Sequence, residues 1–235
     1  MRLYLFRTAT IMGAIPVPAY LVRTDDGHSV LIDSGLPPEL AAAAQQPGYA
    51  GMPIADFRPI TAYLADLDVA PGDVDLLVAT HLDTDHAGMH DAFPNAEIVI
   101  QRDHYAAAFT HGEPRYAGQR SHWDAPGLRY RQVDGDTELL PGITLIASSG
   151  HVTGHQAVLV RLPETGPVLL AIDAINTAGQ SDGGPGGPFD QDADGVRASV
   201  RKLRGVMARE GVTLTVYGHD KAQWNELRLA PEYYV

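Results

Sequence analysis

Apolar positions in the first hundred residues come in short runs, not in long helical stripes. "RLYLFR" (2–7), "PAYLVRT" (18–24) and "HSVLIDSG" (28–35) are rich in aliphatic and aromatic residues and predict strands. "DDG" (25–27) lies between the second and third and is a hairpin signal, so the chain is expected to open antiparallel. Residues 38–46 ("PELAAAAQQ") and 56–68 ("DFRPITAYLADLD") change to a helical pattern, with Pro59 near the start of the second helix. "VDLLVAT" (74–80) predicts a buried strand that ends at His81. A helix-like stretch follows it, and "AEIVIQ" (96–101) is a further strand. Residues 102–128 hold His, Tyr, Trp, Gly and Pro without a clean period. They predict a helix over about 102–110 and then an irregular excursion of the kind that often covers a site.

The second half repeats the strand pattern with "TELLPGITLIASSG" (137–150), "HQAVLVRLP" (155–163) and "GPVLLAIDA" (166–174), which predict a second sheet. "GVRASVRKLRGVMARE" (195–210) places Val196, Val200, Leu203 and Met207 on one helical face, and "VTLTVYG" (212–218) is a strand that ends at His219. The glycine cluster 183–187 reads as a flexible surface loop, because "GGPGG" lacks the lysine and following helix of a phosphate loop.

Composition narrows this picture in three ways. A chain of 235 residues with 45% apolar positions fits one domain, 1–235, interrupted by the excursion at about 102–128. A net charge of -12 argues against nucleic acid and for a small neutral substrate. With no cysteine, a disulfide framework, a thiolate zinc site and a cysteine nucleophile are all excluded, so any metal must be held by His, Asp or Glu. The N-terminus lacks the layout of a signal peptide and no apolar run is long enough to span a bilayer, so a cytoplasmic protein without a membrane partner is expected. A homodimer is left open.

The candidate chemistry lies immediately after the strands. "ATHLDTDHAGMH" (79–90) carries His81, Asp83, Asp85 and His86; His151 follows "LIASSG", Asp173 follows "VLLAI", and His219 follows "VTLTVYG". Strand ends of a layered α/β fold converge on one edge, so these seven side chains are expected to meet there as two metal sites. Alternate residues 81, 83 and 85 point the same way from an extended segment, whereas His86 begins the next turn.

"HLDTDHAG" resembles the HxHxDH motif of the metallo-β-lactamase superfamily. "LIDSG" (31–35), "QRDHYAAA", "VDGDTELLPGITLIASSGHVTGHQAVLV", "VLLAIDA" and "YGHD" extend the resemblance over nearly the whole chain, toward the N-acyl homoserine lactonase-like family. The resemblance implies an α/β fold, a four-layer αββα sandwich of two mixed sheets with helices on the outer faces. It also implies two divalent metal ions, zinc by the family pattern. His81, position 83 and His151 would hold one ion, Asp85, His86 and His219 the other, with Asp173 bridging. The implied reaction is opening of a lactone ring, of N-acyl homoserine lactones first, by attack of a metal-bridging hydroxide, with Asp85 passing a proton to the leaving oxygen.

Two positions depart from the pattern. Asp83 stands where the family has a second histidine, which adds an anion and predicts weaker Lewis acidity and a shift toward manganese or iron. Asn176 stands where the lactonases place a tyrosine that polarises the substrate carbonyl; its amide can still donate a hydrogen bond. Rival enzyme readings are another lactonase, an esterase, a thioester hydrolase of the glyoxalase type or a flavodiiron oxidoreductase; the reading from a different class is a metal-poor binding protein. Of the other polar residues, Asp33 and His155 are expected to brace ligands and His90 to lie on a helix surface. His104, Tyr105, His111, Tyr116, His122 and Trp123 are expected either to line the pocket or to pack the excursion.

Overall fold

Strand β1 (Arg2–Ile11) turns through Met12–Ala14 into β2 (Ile15–Arg23), antiparallel from Arg2↔Arg23 to Ile11↔Ile15, in a computed structural model that describes residues 1–235. The turn at Asp25–Gly27 returns the chain as β3 (Ser29–Ile32), and β4 (Ile54–Ala55) pairs with the far edge of β1. β5 (Leu76–Val78), β6 (Glu97–Gln101) and β7 (Arg129–Val133) then add in parallel to β3. The seven-stranded order is β4-β1-β2-β3-β5-β6-β7. The second sheet, β12-β11-β10-β9-β8, is antiparallel through β8 (Thr137–Leu140), β9 (Ile143–Ala147), β10 (Gln156–Leu162) and β11 (Gly166–Ile172). It ends in a parallel partner, β12 (Leu214–Tyr217).

Both faces of β2, β3, β6, β10 and β11 are covered, which is why their sequences are largely apolar runs without polar alternation. Leu3, Leu5, Tyr20, Val22, Val30 and Ile32 of the first sheet interdigitate with Leu145, Val158, Val160, Leu170, Ile172 and Val216 of the second. The alternate residues Tyr4, Phe6, Leu21, Leu31, Leu77 and Ile98 face outward onto Ile60, Leu64, Tyr116 and Trp123. On the opposite outer face, Leu159, Leu169 and Ala171 receive Val196, Val200, Leu203 and Val206 of the long helix Ala193–Glu210. The order of layers is helix, sheet, sheet, helix, as the motif resemblance implied. The long helix starts where the Asp192 carboxylate accepts the Asp194 N–H, and stops at Gly211 with φ 63°, a left-handed cap that only glycine takes without strain. No helix is long and apolar enough to cross a membrane.

Several local expectations need correction. The helix expected over 56–68 is confined to Ile60–Ala65, because Pro59 holds an extended ψ of 146° and can only precede it. The stretch after His81 is a chain of turns with one short 3-10 segment, His90–Ala92, since its side chains are committed to the site and not to a helical face. β7 carries a polar "RYRQV" and passed unnoticed, being the edge strand of its sheet with only partly covered faces.

Candidate metal centre

The edge that collects the chemistry is made by the C-terminal ends of β3, β5, β9, β11 and β12. Asp33 follows β3, His81 to His86 follow β5, His151 follows β9, Asp173 follows β11 and His219 follows β12. The motif loop is pressed against residues 36–37: a Cβ on Gly88 would lie 2.2 Å from the Pro37 nitrogen, so only glycine permits the approach. Asp33 takes a left-handed φ of 58°, a conformation that Asp tolerates better than most residues.

The seven residues singled out from the sequence come together in three overlapping groups: His81, Asp83 and His151; Asp85, His86 and His219; and His81, His86 and Asp173. His81 Nε2 is 3.4 Å from Asp83 Oδ2, and His151 Nε2 is 3.2 Å from that oxygen and 3.3 Å from Asp173 Oδ2. On the other side His219 Nε2 lies 3.2 Å from Asp173 Oδ2 and 3.8 Å from Asp85 Oδ2, and His86 Nε2 lies 3.3 Å from Asp173 Oδ1. Asp173 therefore stands between the two halves. Donors around a tetrahedral ion with bonds of about 2.0–2.2 Å are separated by roughly 3.3–3.6 Å, so the spacing fits divalent cations.

Each of these four histidines turns its Nε2 inward and ties its Nδ1 outward. His81 Nδ1 bonds the Thr80 hydroxyl at 3.0 Å, His86 Nδ1 donates to Asp33 Oδ2 at 2.8 Å, His151 Nδ1 to Asp190 Oδ1 at 2.8 Å, and His219 Nδ1 to the Pro16 carbonyl at 2.8 Å. Such outer bonds leave the inward nitrogen as a lone pair when the ring is neutral. The inward Nε2 atoms of His81 and His86, and Asp173 Oδ1, are buried without any hydrogen-bond partner, the condition expected of atoms that await a cation. Asp33 also accepts the Thr80 N–H and hydroxyl, at 2.9 and 2.8 Å.

Charge is tightly coupled here. Burial would raise the Asp173 carboxyl, but His219, His86 and His151 hold it well below the usual carboxylate range. Burial opposes a charged His86, yet Asp85, Asp173 and Asp33 raise it well above the ordinary imidazole value. His151 is pushed up to about 9 against its own burial by Asp173, Asp190 and Asp83. His81 goes the other way, to about 3, through burial and its neighbour His86.

Asp83 has a partner that sequence reasoning missed. Arg115, from the 3-10 segment Pro114–Gln119 of the excursion, grips both carboxylate oxygens, Nε donating to Oδ1 at 2.6 Å and Nη2 to Oδ2. Its Nη2 also lies 3.1 Å from His151 Nε2, and its Nη1 donates to the Phe189 carbonyl at 2.6 Å. Burial would raise the Asp83 carboxyl, but this guanidinium, with His151 and His81, holds it well below its ordinary value.

The other aromatic and histidine residues of the excursion do not line the cavity. His104 is buried and braces two loops, its Nε2 accepting the Leu82 N–H at 2.9 Å and its Nδ1 donating to the Thr153 carbonyl at 2.6 Å. Tyr116 and Trp123 are core residues, His111 is exposed, and His122 pairs with Glu39 and Asp91. His155 is buried and bonds Ser148 Oγ at 2.9 Å. His90, expected on a helix surface, is fully buried with neither ring nitrogen bonded, because the stretch after His86 is a chain of turns and not a surface helix.

A cavity of about 660 Å³ opens above the cluster. Its polar lining includes Asp83, Asp85, His151, Asp173, Asn176 and His219, and its apolar lining is formed by Ile11, Ile15, Leu36, Leu40, Met52 and Ile54. Residues 185–190 complete the rim, so the glycine-rich segment is part of the site and not a plain loop. Asn176 lines the cavity with its Oδ1 unbonded.

The profile of the metallo-beta-lactamase superfamily matches residues 12–219. An N-acyl homoserine lactonase AttM from Rhizobium johnstonii is 37% identical over 94% of this chain and 88% of its own length. The N-acyl homoserine lactonase AiiA from Bacillus thuringiensis subsp. kurstaki is 31% identical, with 93% of this chain and 87% of the relative covered. A solved N-acyl homoserine lactone hydrolase, with the product N-hexanoyl-L-homoserine bound at its catalytic metal centre, superposes with a TM-score of 0.86. It is 27% identical, and 99% of this chain and 98% of that one are covered.

Proposed function

The chain belongs to the metallo-β-lactamase superfamily and, within it, to the N-acyl homoserine lactonase family, and from that premise we propose that it opens the ring of N-acyl homoserine lactones with water. One observation carries the reading. Four inward Nε2 atoms, each fixed by an outer Nδ1 bond, cluster with three carboxylates, and Asp83, Asp85, His151, Asp173 and His219 of this cluster share a cavity with six apolar side chains. Polar ring chemistry and an acyl chain are thereby given separate places.

In this reading His81, Asp83 and His151 would hold one divalent ion and Asp85, His86 and His219 the other, with Asp173 placed between them. Divalent ions bound there lower the pKa of water from about 15.7 toward 7 and polarise a carbonyl. Asp85 lines the cavity and is the carboxylate placed to take the proton given up by the attacking water and hand it to the departing ring oxygen. Asn176 offers its amide to the carbonyl oxygen, in place of a more acidic phenol. The apolar lining receives the acyl chain and excludes water around it.

Arg115 changes the expectation about the metal. Two divalent ions against three carboxylates leave +1, one less than the family pattern with a neutral histidine at position 83; the Arg115 guanidinium brings the total back to +2. The electrostatic reason for a shift toward manganese or iron is thereby removed, and zinc is the proposed metal. The test is proton release from a panel of N-acyl homoserine lactones, simple γ- and δ-lactones and thioesters, with protein loaded separately with zinc, manganese and iron. Fast opening of acylated homoserine lactones by the zinc form is expected. Turnover of thioesters alone would overturn the substrate, and a faster manganese or iron form would overturn the metal.

A further inference from the structure

Arg115 and a metal ion need the same atoms. His151 Nδ1 is committed to Asp190, so Nε2 is the nitrogen that a metal ion would take. Arg115 Nη2 sits 3.1 Å from this nitrogen while it donates to Asp83 Oδ2, the oxygen that lies 3.2 Å from His151 Nε2 and 3.4 Å from His81 Nε2. The Arg115 guanidinium and a metal ion cannot both stand against His151 Nε2 and Asp83 Oδ2. The group formed by Asp85, His86 and His219 has no such competitor: the hydrogen bonds and ion pairs of those inward atoms run only among themselves and to Asp173. The bidentate contact with Asp83 is also the strong form of a carboxylate ion pair, and it is only partly exposed, with 23% of the Arg115 side chain and 15% of the Asp83 side chain accessible.

We propose that Arg115 is a built-in competing cation at the His81–Asp83–His151 site, so that the two metal sites load unequally, the Asp85–His86–His219 site first. The inference rests on the two-site reading above. When an ion enters the guarded site, Nη2 leaves His151 and Asp83 Oδ2, and Nε keeps its hold on Asp83 Oδ1. The pair thus balances the extra carboxylate and sets the affinity of that site through one side chain.

The test is titration of the full chain, stripped by a chelator, with zinc followed by calorimetry and with cobalt(II) followed by its visible absorption. Two binding steps at least about tenfold apart in affinity are expected. Arg115→Met keeps the methylene packing and removes the guanidinium; it should tighten the weaker step by about tenfold and leave the stronger one in place. Arg115→Lys retains charge without the fork and should fall between the two. If Arg115→Met fails to fold, Arg115→Gln tests the same point by removing the charge while keeping a polar side chain, and it too should bring the steps together. Equal steps in the parent chain, or steps unmoved in the variants, would overturn the inference. The readout is ion binding, so a protein that opens no lactone but loads in this order loses only the substrate reading.

Discussion

The two halves of the centre are built differently. The half around Asp85, His86 and His219 is held from the sheet: Asp33, directly after β3, fixes His86, and the Pro16 carbonyl in β2 fixes His219. The half around His81, Asp83 and His151 depends on irregular segments. Asp190 from the glycine-rich loop fixes His151, and Arg115 from the excursion fixes Asp83. Strand ends are rigid and preorganised, whereas loops carry adaptable partners. One half is therefore expected to set whether the centre forms, and the other how tightly and with what it loads.

The most disruptive way to test this is at the residue the halves share. Asp173→Asn removes a carboxylate charge from both and should lower kcat/KM by about a thousandfold or more, with loss of bound metal measured by elemental analysis. Asp33→Asn should weaken metal binding at the His86 side by about 10–100-fold, since its carboxylate is the anchor of a buried imidazole, and calorimetry should show the stronger step moving. Asp190→Asn is expected to have the smaller effect of about tenfold, confined to the weaker step. Movement of the stronger step instead would break the distinction between the halves.

The smallest effect concerns the clamp that ties the excursion to the rest of the fold. Partial burial of His122 disfavours its charge, but Glu39 and Asp91 outweigh this and raise its pKa above the ordinary 6.5. A raised histidine contributes stability fully below the unfolded value and loses it as pH rises through the folded value. Glu39 is opposite in sign. Burial raises it and His122 lowers it more, so its contribution is lost as pH falls through its depressed value. His122→Gln should therefore lower Tm near pH 6 by no more than about 2–4 °C, and the difference from the parent should shrink toward alkaline pH. A difference that grows with pH would show that the clamp does not act through the charged pair.

Much of this molecule can be read before it is folded. The runs that became β1, β2, β3, β5, β6 and β8 to β12 stand out because both faces of each sheet are buried, and the donors stand out because each follows such a run. Local signals of that kind depend only on neighbours along the chain. The tertiary structure decided the rest: that Arg115 meets Asp83 across 32 residues, that Asp190 meets His151 across 39, and that His90 and His104 turn inward instead of facing solvent or substrate. These pairings arise between irregular segments with no hydrophobic period to mark which side faces in. Which cation serves Asp83 is thus a matter of where the excursion packs, and the chain's own order of residues carries no local trace of it.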